Sequence, residues 1–154
     1  MKFKFSYEIE IGKVTFVEEN GALTHLTLAE VEEVEERETP FIQESYEQLL
    51  AYLAGARKTF NIPLAPQGTT FQKQVWQELQ KIPYGATRSY KQIAEKIGNP
   101  KACRAIGMAN NKNPIFIMIP CHRVIGTNGK LIGYGGGVAL KEQLLNMEQV
   151  QYNL

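Results

Sequence analysis

The chain has only two cysteines in 154 residues and no close pair of them, so neither a disulfide framework nor a zinc site of usual spacing organises its fold. Cys103 and Cys121, with His25 and His122, are the only soft metal ligands, and their C-x17-C-H spacing fits no zinc template. No metal is expected. Nor is there any run of 18 apolar residues, and Met1 to Phe5 alternates instead of forming the apolar stretch of an export signal. These absences exclude a membrane-spanning helix and predict a cytoplasmic protein with reduced thiols. Net charge is nearly absent too, at +1, but only because two unlike halves cancel. Residues 1–68 hold 6 Lys and Arg against 12 Glu, a balance of −6, and residues 69–154 hold 11 against 4, a balance of +7. The second half suits a polyanion, the electrostatic footprint of nucleic-acid binding.

A chain of this length buries one good core or two small lobes. Phe3, Phe5, Tyr7, Ile9 and Ile11 alternate with polar residues, a half-buried strand. Val14 to Val17 and Leu23 to Leu28 flank Asn20-Gly21, the strongest short hairpin signal, so a three-stranded antiparallel sheet is expected. The acidic run Glu30 to Glu38 reads as a solvated loop. Ile42, Tyr46, Leu49, Leu50 and Leu53 fall at helical spacing, Phe60, Ile62 and Leu64 alternate again, and Pro63 to Gly68 reads as a joint. Beyond it Thr69 or Thr70 caps a helix carrying Phe71, Val75, Trp76 and Leu79, and Ser89 with Gln92 forms a capping box for the next. Gly98-Asn99-Pro100 ends that helix and opens another from Lys101. The expected architecture is an α/β lobe over residues 1–66, then a mostly α lobe over residues 67–154 holding a helix-turn-helix.

The most informative string is Ile119-Pro120-Cys121-His122-Arg123. Ile115 to Ile119 has the look of a buried strand ended by Pro120, which places Cys121 at a strand terminus facing a cleft. A packing cysteine does not call for Pro, His and Arg as neighbours, whereas a nucleophile gains from groups that favour its thiolate. The helix beyond Lys101 is unusual as well: Ala102, Cys103, Ala105, Gly107 and Ala109 surround a single Arg104. It lacks the long polar side chains that read a major groove. It suits a close approach to a narrow minor groove, with Arg104 as a wedge into the base stack.

Pro120-Cys121-His122-Arg123-Val124, preceded by Asn113-Pro114 and followed by Gly133-Tyr134-Gly135-Gly136-Gly137 and Lys141-x-x-Leu144-Leu145-x-x-Glu148, resembles the O6-alkylguanine-DNA alkyltransferases over about residues 69–149. The resemblance implies a ribonuclease-H-like first lobe and a partner in double-stranded DNA carrying O6-alkylguanine. It calls for no cofactor, membrane or obligate protein partner. Cys121 would accept the alkyl group irreversibly, His122 would take its proton through a water, Glu148 would orient His122, and Asn113 would brace the turn under Cys121. Arg104, with Lys101, Cys103, Ala105, Gly107 and Arg123, would meet DNA. Tyr90 would press the phosphate of the flipped nucleotide and offer its proton to guanine N3. Val124, Tyr134, Gly135 and Gly136 would line the base pocket. Cys103 stands where the family commonly has alanine, and the cysteine-rich extension of its regulator members is missing, so a transcriptional role is not expected. A non-catalytic alkylated-base-binding protein that recruits excision repair is the nearest alternative, but such proteins lack the cysteine at position 121.

Overall fold

The alternating segment at the start of the chain forms strand β1 (Lys2–Ile9), paired antiparallel with β2 (Gly12–Glu19) in a register that sets Phe5 opposite Phe16 and Tyr7 opposite Val14. This computed structural model describes residues 1–126 and 137–148, and the chain divides into two units, residues 1–67 and 68–154. In the first unit Asn20 and Gly21 have φ of 53° and 82°, the two left-handed residues of a primed hairpin turn, and return the chain as β3 (Ala22–Thr27). The acidic run is not all loop. Glu35–Glu36 forms a short exposed edge strand, β4, parallel to β1, because the Lys4 carbonyl accepts the Arg37 amide there. Sheet order is β3-β2-β1-β4.

Helix α1 (Pro40–Leu53) starts at Thr39, whose hydroxyl accepts the Ile42 amide, and Pro40 sits where its missing N–H costs nothing. Its Ile42, Leu49 and Tyr52 are fully buried, as are Val14, Phe16 and Leu26 of the sheet, and Tyr46 stacks on Tyr7 with ring centroids 3.6 Å apart. The expected strand at Phe60 to Leu64 reduces to a single bridge, Leu64 to Leu23, held by the Leu23 and Ala65 amides.

In the second unit α2 (Thr70–Leu79) and α3 (Tyr90–Lys96) open on complete capping boxes, Thr69 with Gln72 and Ser89 with Gln92. Helix α4 begins at Cys103 and ends at Asn111, two residues later than the expected start at Lys101. Its delay has a local cause: Asn99 to Ala102 closes a turn through the Ala102 amide and the Asn99 carbonyl, and Pro100 serves that turn instead of the helix. The buried Trp76 ties α2 to α4 by donating Nε1–H to the Ala109 carbonyl at 2.9 Å. A two-strand parallel pair, β5 (Arg88–Ser89) with β6 (Val124–Ile125), and helix α5 (Val138–Met147) complete the unit.

Candidate active site

Residues 115–119 are apolar enough for a buried strand, yet the chain coils there. The Ile119 amide bonds the Ile115 carbonyl, the Met118 amide bonds Phe116, and Ile117 takes a φ of 70°. A β-branched residue in that region is strained and persists only where its surroundings impose it. Asn113 does so from the end of α4. Its Oδ1 accepts the Ile115 amide at 3.0 Å and its Nδ2 donates to the Ile119 carbonyl at 2.8 Å, clamping both ends of the turn. The strand expected before Cys121 is therefore a clamped loop. An apolar run alone does not separate these outcomes.

Cys121 then opens a single 3-10 turn, Cys121–Arg123, and all three side chains are buried. His122 and Glu148, the residue capping α5, are fully enclosed and meet at 2.8 Å between Nε2 and Oε2. Burial lowers the His122 pKa, its largest cause, while the Glu148 carboxylate pulls the other way. A neutral imidazole that donates Nε2–H to Glu148 carries its basic lone pair on Nδ1.

Arg123, expected at the DNA, is turned inward. Its Nε and Nη2 donate to the two Glu148 oxygens at 2.9 and 3.0 Å and its Nη1 to the Ile82 carbonyl at 2.7 Å. The bidentate pair fixes Glu148 in place and sets a positive partner against its buried carboxyl group.

Tyr90 heads α3 with its ring against Gly107 of α4, where an added Cβ would come within 3.9 Å. Burial raises the pKa of its phenol, the neighbouring Cys121 charge adds to the rise, and a hydrogen bond from Asn110 opposes it, so the group stays protonated at neutral pH. Lys101, Cys103, Arg104 and Ala105 are exposed, and Gly107 is half-buried. Val124 is fully buried. Tyr134, Gly135 and Gly136 lie outside the described residues. Among the described residues no group of three or more His, Cys, Asp or Glu side chains gathers as metal ligands would.

Two participants received no role from the sequence, which named Lys141 only within a motif and Asn110 not at all. Lys141 of α5 is fully buried and its Nζ donates to the Val124 carbonyl at 2.5 Å. Burial lowers its pKa to about 8, and the charge of Cys121 is the opposing influence. The signal was available: Lys141 stands at helical spacing inside the apolar stripe of Leu140, Leu144 and Leu145. Asn110, 1% exposed on α4, donates from Nδ2 to the Cys121 carbonyl at 3.3 Å, and nothing in its local sequence marks it.

Two family models divide the chain between them. The ribonuclease-like domain of 6-O-methylguanine DNA methyltransferase matches residues 3–66, and the DNA binding domain of the same family matches residues 70–150. A methylated-DNA–protein-cysteine methyltransferase of Methanosarcina acetivorans is 60% identical over 108 residues, covering 70% of this chain and 69% of the relative. The constitutive methylated-DNA–protein-cysteine methyltransferase of Bacillus subtilis is 44% identical over 99% of this chain and 98% of its own length. In structure, Mycobacterium tuberculosis OGT in complex with DNA superposes with a TM-score of 0.88 at 44% identity, covering 96% of this chain and 92% of that one.

Proposed function

Because this chain belongs to the 6-O-methylguanine DNA methyltransferase family, we propose that it repairs alkylated duplex DNA by moving the alkyl group of O6-alkylguanine onto its own Cys121. It is a methylated-DNA–protein-cysteine methyltransferase, and its action is direct reversal. The observation that carries the site assignment is the buried succession of Cys121, His122 and Glu148, with His122 Nε2 and Glu148 Oε2 2.8 Å apart.

The step is a displacement at carbon. His122, neutral and oriented by Glu148, removes the thiol proton by way of a water, and the Lys141 charge favours the resulting thiolate. The sulfur attacks the alkyl carbon, the carbon–O6 bond breaks, and its electron pair enters the guanine ring. Tyr90 then supplies a proton to N3 as that charge grows. The product thioether has no leaving group that water could displace under these conditions, so each molecule acts once. Asn113 keeps Cys121 presented through the loop it clamps.

A methyl group inside a stacked duplex is beyond reach, so the base must flip at a cost of a few kcal/mol. We read α3 and α4 as a helix-turn-helix entering the minor groove, with exposed Arg104 filling the vacated stack and exposed Lys101, Cys103 and Ala105 along its approach. The first unit we read as ribonuclease-H-like, and the compartment as the reducing cytoplasm that a free thiol requires. No helix among the described residues is long and apolar enough to cross a membrane.

The test is intact mass and peptide mapping after mixing with a duplex that holds one O6-methylguanine. One methyl in place of hydrogen, about 14 mass units, is expected on Cys121 alone, since the thiolate is the nucleophile. Label on Cys103, or label persisting in Cys121→Ser, would sink the assignment.

A further inference from the structure

A cavity of about 520 Å3 opens between the C-terminal end of α2 and α3, wholly within the second unit. Among the described residues, none assigned above to alkyl transfer or to DNA contact lines it. Its floor is apolar: Ile82 and Ile93 are 3% and 2% exposed. Its walls are fixed by other contacts. The Ile82 carbonyl accepts from Arg123 Nη1 at 2.7 Å, Arg88 stands opposite Val124 in the β5–β6 pair, and Gln92 is held by its capping box. Walls that are already ordered spare a ligand the cost of ordering them.

The charges around this floor do not cancel. Lys81 and Glu78 pair at 2.7 Å and neutralise each other, which leaves Arg88 and Lys96 against Glu95. Half-buried Arg88 donates one N–H to the Thr87 carbonyl at 2.8 Å, and among the described residues it makes no ion pair. Gln92 accepts the Ser89 amide on Oε1 at 2.8 Å, so its amino end is the one left to donate. Three donors, two of them cationic, therefore recur at positions 88, 92 and 96, the four-residue spacing that sets side chains along one face.

We propose that this cavity binds a nucleoside monophosphate, with the phosphate on Arg88, Gln92 and Lys96 and the base lying over Ile82 and Ile93. A phosphate monoester carries about −1.5 to −2 at neutral pH, a charge that two cations match and that the single charge of a backbone phosphodiester does not. The flat guanidinium fork suits two phosphate oxygens, and the lysine adds a point charge. The volume lies within the range of small-molecule sites and exceeds what phosphate alone needs, while the apolar floor suits a ring. Glu95 and Glu78, which would repel a bare anion, accept hydrogen bonds from ribose hydroxyl and base amino groups. This chemistry has two sources, a free nucleotide and the 5′-phosphate end of a DNA strand.

The experiment is calorimetric titration of the full-length protein with deoxyguanosine 5′-monophosphate, deoxyguanosine and inorganic phosphate. The nucleotide should bind with Kd below about 1 mM, and each fragment at least about tenfold more weakly, because each keeps only part of the contacts. Arg88→Gln and Lys96→Gln should each weaken the nucleotide about tenfold, as loss of a charged hydrogen bond does, whereas Lys91→Gln, on α3 but outside the cavity, should not. Melting curves verify that the variants fold, and exposed Lys96 carries the test should Arg88→Gln fail to. A duplex bearing a 5′-phosphate, compared with its 5′-hydroxyl counterpart, identifies the source. A gain in affinity that Lys96→Gln abolishes assigns the strand end, and equal affinities beside nucleotide binding assign the free nucleotide. The site is overturned if the nucleotide does not bind, if inorganic phosphate binds as tightly, or if Lys91→Gln loses as much as Lys96→Gln.

Discussion

Lys141 shows how one buried charge can be made useful. Enclosing an ammonium group costs several kcal/mol unless it is paired; here the Val124 carbonyl accepts from it, the Tyr90 ring centroid lies 6.0 Å away, and the charge of Cys121 favours its protonated form. With its pKa at about 8, Lys141 is largely charged at pH 7 and loses its proton in the mildly alkaline range. Transfer from free O6-benzylguanine should therefore fall as pH rises through about 8, and Lys141→Met should be slow and lack that descending limb. In Lys141→Arg the charge persists and the limb should vanish while rate is retained in part. A pH profile of wild type still rising at pH 9 would falsify the role. His122 makes a different demand. Its folded pKa lies below 6.5, so between the two values the unfolded chain binds more protons and stability rises with pH. Thermal midpoints should drop as pH falls below about 6.5, and His122→Gln should flatten that limb.

At the scale of elements, the site depends on a loop and a helix that the sequence reveals unequally. The clamp at Asn113 satisfies a buried amide and a buried carbonyl at the two ends of the 115–119 loop. Asn113→Ala should cost about 1–3 kcal/mol in denaturant unfolding and slow transfer by displacing Cys121. Ile117→Gly would release the strain of a positive φ, but it also empties a buried isoleucine site, and the cavity term of about 2–5 kcal/mol prevails. A variant more stable than wild type would contradict that ranking. The hairpin at Asn20-Gly21 and the two capping boxes were legible because their signals are local, a turn residue or a hydroxyl three positions from its partner. The loop before Cys121 was not, because a five-residue apolar run is compatible with several buried conformations and only contacts with Asn113 choose among them. Arg123 failed for a related reason. The family resemblance implied that Arg123 meets DNA, and only Glu148, 25 residues away, shows what holds it.

Helix α4 presents Arg104, Met108 and Asn111 on one exposed stripe while Ile106, Ala109 and Asn110 face inward. Met108, at the middle of that stripe, is 58% exposed. Arg104→Ala should leave benzyl transfer from the free base nearly unchanged and slow duplex repair by a few kcal/mol equivalent, since only the duplex needs the vacated stack filled. Equal losses on both substrates would make Arg104 a structural residue. Met108→Glu should weaken duplex affinity roughly tenfold by setting a carboxylate against phosphate, with the free-base rate again unaffected.

For the whole molecule the decisive property is the partition of charge. A chain of net charge +1 would not be drawn to DNA as a uniform object, but residues 69–154 carry +7 and residues 1–68 carry −6. Affinity for duplex should then come from phosphate contacts made by the second unit alone, with little preference for sequence because Arg104 is the single long polar side chain that α4 offers. Counterion release turns this into a measurable slope of log K against log salt, to which each lysine on a phosphate contributes about 0.9. Lys101→Gln, on the approach to α4, should reduce the slope by about that amount, whereas Lys58→Gln in the first unit should leave it unchanged. Equal effects from the two substitutions would mean that the charge acts as a diffuse whole-chain field, and the assignment of DNA contact to the second unit would fall. A preference of several kcal/mol for one sequence would instead require more base readout than Arg104 and Asn111 of the exposed α4 stripe supply.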